Sequence, residues 1–121
     1  MSDQRTALGR AGEAYAAQLL VQAELRILAR NYRCKQGEID IIARDGQHIL
    51  VFVEVRTRTS EYAGWGEESL TRQKMRKMQT VAQYYVLSQG YTDWPELRFD
   101  LIALRWTEQQ HPQVRWLKGI F

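Results

Sequence analysis

The stretch from Gly37 to Thr57 constrains this chain more than any other. Two runs rich in β-branched and aromatic residues, Gly37-Glu38-Ile39-Asp40-Ile41-Ile42 and Val51-Phe52-Val53-Glu54-Val55-Arg56, flank an Asp45-Gly46 turn signal. Such a pattern reads as two strands of an antiparallel hairpin. Each run carries a carboxylate among apolar neighbours, and a buried charge without a partner costs several kcal/mol. The two acids therefore need each other, a cation or both, and Arg56 follows Glu54 by two positions.

Strand alternation puts Glu38, Asp40 and Ile42 on one face of the first run and Phe52, Glu54 and Arg56 on one face of the second. A three-residue loop at Asp45-Gly46-Gln47 pairs Arg44 with His48, Asp40 with Phe52 and Glu38 with Glu54. Asp40 and Glu54 are then diagonal neighbours on one face, whereas a one-residue slip sends them to opposite faces. Two carboxylates on one face repel, and a hard divalent cation, Mg²⁺ or Mn²⁺, relieves the repulsion. The Val55 carbonyl is a third oxygen ligand beside Asp40 and Glu54. Zinc is not expected: the chain has one cysteine, Cys34, and its two histidines, His48 and His111, have no spaced partner. Arg56 keeps its proton at any working pH, so its role in such a site is to hold a phosphate or stabilise developing charge. The same residues also suit an ion-pair ladder across a sheet, and residue order leaves both readings open. Glu38 alone reads as a strand-edge residue.

Around the hairpin, Thr6 is the expected N-cap of a first helix running to about Ala23, with Leu8, Ala11, Tyr15 and Leu19 as its apolar stripe. Arg26 to Tyr32 reads as a strand, and the hairpin strands cover about Glu38–Ala43 and Ile49–Thr57. Arg58 to Ser69 reads as a loop. A second helix follows from about Thr71 to Gln89, with Met75, Met78, Ala82 and Tyr85 on its apolar face and Gly90 as its stop. Leu97 to Trp106 and Val114 to Ile120 complete the order α-β-β-β-α-β-(β). A meander followed by a crossover helix predicts an α/β fold, a mixed β-sheet flanked by helices. At 121 residues the chain fits one domain over residues 1–121. No run is long enough to cross a bilayer as a helix, and Met1-Ser2-Asp3-Gln4-Arg5 lacks an apolar leader core, so no membrane and a cytoplasmic setting are expected.

The net charge of +3 suits a polyanionic partner. Arg72, Lys74, Arg76 and Lys77 crowd the first turns of the second helix, where the helix dipole already places partial positive charge. A passing phosphate backbone explains that arrangement. Neutralisation by Glu61, Glu67 and Glu68 explains it equally. Arg5, Arg10, Arg30, Arg33 and Lys35 either join the patch or lie dispersed. Tyr62 and Trp65 offer stacking surfaces or pack back on the domain. Trp106, Trp116 and Phe121 are expected in the sheet core or on a self-association surface.

Taken together, Gly12-Glu13-Ala14, Asn31-Tyr32-Arg33, Gly37-Glu38-Ile39-Asp40, Phe52-Val53-Glu54-Val55-Arg56-Thr57-Arg58, Lys74 and Arg98-Phe99-Asp100 resemble, in order, the YraN-like family of uncharacterised bacterial proteins. That family is similar to the PD-(D/E)XK restriction-endonuclease-like superfamily, close to the Holliday-junction resolvases of archaea. The resemblance implies a restriction-endonuclease-like mixed sheet, Asp40 and Glu54 as metal-binding acids, and Glu13 as a helix-borne acid beside them. It makes position 56 the catalytic lysine of the superfamily, but this chain has Arg56, and the two cations differ in shape and donor geometry. The implied activity is Mg²⁺- or Mn²⁺-dependent hydrolysis of DNA at branched or non-canonical structures, by a homodimer matched to two-fold substrates. The alternative is a DNA- or RNA-binding or adaptor module that keeps the fold without turnover.

Overall fold

The computed structural model describes residues 3–59, 70–107 and 111–121, with side chains from residue 7 onward. Its elements are α1 (Asp3–Gln22), β1 (Arg26–Cys34), β2 (Gly37–Asp45), β3 (Ile49–Arg58), α2 (Arg72–Ser88), β4 (Glu96–Arg105) and β5 (Gln113–Leu117). The strands form one five-stranded sheet in the order β1-β2-β3-β4-β5. All neighbours are antiparallel except β3 and β4, which run parallel from Ile49↔Glu96 to Arg58↔Arg105. Adjacent parallel strands need a crossover, and α2 supplies it. The predicted mixed α/β fold and its element order are thus the observed ones. No helix among the described residues is long and apolar enough to cross a membrane.

Alternation along β3 divides the core between two layers of helix. Leu50 and Phe52 pack with Met78, Val81, Ala82, Tyr85 and Val86 of α2. Val51 and Val53 pack with Ala16 and Leu20 of α1. The apolar face expected for α2 is therefore the one it buries. Thr71 caps that helix by accepting the Lys74 amide at 3.2 Å, and Gly90 ends it at φ 70, which glycine adopts without steric cost.

Three expectations are corrected. α1 begins by Asp3, ahead of the Thr6 start, since Gln4 and Arg5 are good helix formers. Its buried line is Gly12, Ala16 and Leu20, one step round from Leu8, Ala11, Tyr15 and Leu19, and Ala11 is exposed. Small residues on that line let the helix axis sit close to the sheet, with larger ones filling the flanks. β3 extends through Arg58, one residue past the expected end at Thr57, because β4 pairs with it as far as Arg105 and the Trp106 amide donates to the Arg58 carbonyl at 2.8 Å. Arg5, Glu61, Tyr62, Trp65, Glu67 and Glu68 lie outside the described side chains.

The C-terminal residues serve the sheet. Trp106 meets Tyr15 edge-on at 5.8 Å, and Phe121 stacks on Phe99 at 4.6 Å. Asp100, fully buried on β4, accepts hydrogen bonds from Arg98 Nε and Nη2, Trp116 Nε1 and the Gly119 amide, each at 3.0 Å. Arg98 also reaches Asp45 at the end of β2, at 2.7 Å.

Gly12 marks the closest approach of α1 to the sheet. A Cβ there would run into Thr57 Oγ1 and lie 3.3 Å from Leu104 Cδ1. Gly12→Ala is therefore expected to destabilise by ~1–3 kcal/mol, the usual penalty for overpacking. Adding Thr57→Ala should return part of that loss, a non-additivity that urea unfolding of the two single variants and the double variant would measure.

Candidate functional site

The site forms where β2 and β3 part. Their pairing runs Asp45↔Ile49, Arg44↔Leu50, Ala43↔Val51, Ile42↔Phe52 and Ile41↔Val53, and stops there. The loop is therefore Gly46-Gln47-His48, and the expected pairs Arg44–His48, Asp40–Phe52 and Glu38–Glu54 are each two positions out of register. An even shift preserves faces. One step past the last pair, Asp40 comes opposite Glu54, and their carboxyls lie within hydrogen-bonding reach of each other. In place of a backbone partner, the Val55 amide donates to Asp40 Oδ2 at 2.8 Å. The Asp40 carboxyl thus lies across the fork.

A matching irregularity on β1 opens the fork further. β1 pairs with β2 at Arg30↔Ile41 and Tyr32↔Ile39, with Asn31 and Asp40 unpaired between them. Asn31 has φ 53, in the left-handed region that few residues other than glycine and asparagine enter. The break resets the alternation on both strands, so Ala29 and Tyr32 of β1, and Ile39 and Ile42 of β2, all join the α2-side core, and the single face expected for Glu38, Asp40 and Ile42 is not formed. The Asn31 side chain is thereby free to hydrogen-bond Glu13.

Glu13 arrives from the other side. It follows Gly12, the point of closest approach, and is half-buried beside Asp40. Burial, followed by the nearby Asp40 charge, raises its pKa, and the Asn31 hydrogen bond opposes that rise. On β3, Glu54 and Arg56 share the face of Phe52, with Arg56 Nη2 3.0 Å from Glu54 Oε2 and each side chain about four-fifths buried. The approach is a charge contact without hydrogen-bond alignment. Arg56 Nε and Nη2 are buried with no hydrogen-bond acceptor among the described residues. Glu13, Asp40, Glu54 and Arg56 thus converge at one end of the sheet. Glu38 does not join them: it forms an exposed cross-strand pair with Arg33 at 3.0 Å. Among the described residues, no three His, Cys, Asp or Glu side chains close on a common point.

The cations of α2 lie at the same end. A crossover from β3 to the parallel β4 starts where β3 ends, so the first turns of α2 sit beyond Arg58. All four cations are exposed, but they do not form one patch. Arg76 and Lys77 lie on the outward ridge of the helix, and Arg72 and Lys74 on its flanks, as three- and four-residue spacing dictates.

Asn31 is the site residue that the sequence reading left without a role. An asparagine inside a strand run, able to take the left-handed conformation, is the signal that marks it.

These features describe a small α/β protein whose acidic cluster occupies a fork between central strands. The chain belongs to the Uncharacterised protein family UPF0102, the YraN-like proteins, whose pattern matches residues 12–104. A UPF0102 protein of Desulfitobacterium hafniense (strain Y51) is 48% identical over 122 residues, covering 99% of this chain and 100% of the relative. One of Moorella thermoacetica is 43% identical over 123 residues and covers 100% of both chains. One of Mycolicibacterium vanbaalenii is 36% identical over 119 residues, with 98% and 97% covered.

Burial, together with the hydrogen bond and charge of Glu54, raises the Asp40 pKa from the usual 3.8 to about 8. The folded protein therefore keeps a proton that the unfolded chain has released. Stability is expected to fall as pH rises between these values, and this contribution is constant below the lower and above the upper one. In Asp40→Asn that slope should largely vanish. Thermal unfolding of both proteins across this range, in the presence of a chelator, measures the difference.

Proposed function

We propose that this protein binds nucleic acid and hydrolyses phosphodiester bonds with a divalent cation, Mg²⁺ or Mn²⁺, at the β2–β3 fork. The observation that carries the reading is the Asp40 carboxyl, held between the Glu54 carboxyl and the Val55 amide where the ladder ends. Two hard oxygen donors that face each other beside the Val55 amide fit a cation that would take the place of the Asp40 proton. Asp40 and Glu54 would hold it. A strand residue turns its N–H and C=O to the same edge, so the Val55 carbonyl is the third ligand expected. When bound, such a cation supplies Lewis acidity and positive charge to a phosphoryl group.

The rest of the chemistry belongs to the chain. The unaccepted N–H groups of Arg56 are donors awaiting an anion, and a phosphate oxygen satisfies them. Glu13, held by Asn31, would orient an attacking water or accept its proton. Lys74 and the other α2 cations meet the backbone of the same substrate. DNA with a branch or another non-duplex feature is the substrate implied by the likeness to resolvases, and a homodimer would present two such sites to it.

One observation favours a second reading. Arg56 already lies 3.0 Å from Glu54, so the acids and the arginine partly neutralise one another. That suits a nucleic-acid-binding or adaptor module without turnover.

Calorimetry with Mn²⁺ separates the two readings. Wild type should bind, and Asp40→Asn and Glu54→Gln should each weaken binding by about tenfold or more, the scale lost when even an outer partner of a ligand is removed. Arg56→Lys should retain the metal and raise cleavage of flapped or four-way DNA over linear duplex, because a compact ammonium leaves Glu54 freer. Absence of metal heat in wild type, together with no cleavage by any variant, would leave the non-catalytic module.

A further inference from the structure

We infer that the outward ridge of α2 is a track for single-stranded nucleic acid, on which Arg76 and Lys77 hold phosphates and Tyr84 stacks on an unpaired base. The inference rests on the binding half of the function proposed above and not on the hydrolytic half.

Gln73, Arg76, Lys77, Thr80, Tyr84 and Leu87 recur at three- and four-residue spacing and are all exposed, so they form one solvent-facing ridge opposite the buried line of the helix. At its start, the β1–β2 turn contributes Gln36 to an open depression shared with Gln73, Arg76, Lys77 and Thr80. The floor of that depression is cationic and amide-bearing, and α2 contains no acidic residue along its whole length. That combination repels cationic partners and attracts a polyanion.

Further along the ridge the character changes. Tyr84 is 46% exposed and Leu87 70% exposed, large apolar surfaces that the fold leaves uncovered. From Lys77 to Tyr84 is about 10 Å along the axis at 1.5 Å per residue. Nucleotides in a stacked strand are about 3.4 Å apart, so a strand bound at both points spans about three of them. A duplex presents phosphates to Arg76 and Lys77 but no base face to Tyr84, because its bases are stacked on one another. An unpaired strand presents both, and aromatic stacking of that kind needs no particular base. The track starts at the end of the sheet that holds Asp40 and Glu54 and leads away from it, so it would carry the unpaired arm of a substrate whose junction lies at the fork.

Fluorescence anisotropy tests this with a labelled oligothymidylate and a blunt duplex of equal length, in the presence of a chelator to prevent cleavage. Tyr84→Ala should weaken single-strand binding by about fivefold or more and leave duplex binding unchanged, while Tyr84→Phe should keep wild-type binding. Arg76→Gln with Lys77→Gln should weaken both ligands and flatten the single-strand salt dependence by about 0.7 of a unit for each lost contact. Because the chelator removes any divalent cation, the assay reads the track apart from the metal site, so failure of the track is distinguished from failure of the fork. Equal single-strand binding by wild type and Tyr84→Ala, with circular dichroism showing both folded, would overturn the inference. So would a Tyr84→Ala protein that changes only its sedimentation, since the ridge would then be covered by a second copy of the chain.

Discussion

The hydrogen bond from the Val55 amide to the Asp40 carboxyl sets the geometry of the site. An antiparallel ladder that continued past Ile41↔Val53 would consume the backbone groups of residue 55 and turn Asp40 and Glu54 into ordinary cross-strand neighbours. By taking the place of a backbone acceptor, the carboxyl ends the ladder without leaving the amide unsatisfied. It also holds itself in the strand plane, within reach of Glu54 on the face toward α2 and Glu13 on α1.

That arrangement requires both helices to be fixed against the sheet. Gly12 lets α1 descend far enough for the next residue to reach the fork, and the left-handed turn at Asn31 makes room for it. The parallel pairing of β3 with β4 returns the chain through α2, which sets that helix's first turns at the same end of the sheet. Acids and cations thus meet through topology, although Glu13 and Lys74 are remote in sequence. The cost of holding carboxyls in so dry a place appears in the raised pKa of Asp40, in keeping with strain and perturbed titration concentrating where a protein acts.

Much of this was legible in the residues. The elements follow from periodicity, and the meeting of Asp40 with Glu54 survives the register error because the error is even, although the break at Asn31 turns the Asp40 carboxyl into the strand plane. The register itself was not legible. Asp45 belongs to β2 because Arg98, far along the chain, holds it at 2.7 Å, and no local turn rule contains that ion pair. The apolar stripe of α1 was misplaced for a related reason. Large side chains dominate a periodicity count, yet the helix buries the line of Gly12, Ala16 and Leu20, where smallness permits close packing. That single step is what moves Glu13 from a solvated flank to the edge of the site.

Asp40 and Asp100 show what distinguishes an acid held for structure from one available for chemistry. Both lie inside apolar strand runs, but two positions before Asp100 stands Arg98, and two positions before Asp40 stands Glu38. Asp100 is the more deeply buried, but four hydrogen bonds, two of them from Arg98, meet its oxygens and tie β4 to β5 and the C-terminal residues. A carboxylate so supplied has no coordination left to offer. Asp40 receives one amide and faces a second acid, while Arg56 leans on Glu54 with its donors out of line. The shortage of donors around Asp40, more than its burial, keeps a proton on its carboxyl, and Arg56 keeps buried donors without an acceptor among the described residues. In the function proposed above, a metal ion would replace the proton of Asp40 and a phosphate would accept from Arg56 at once.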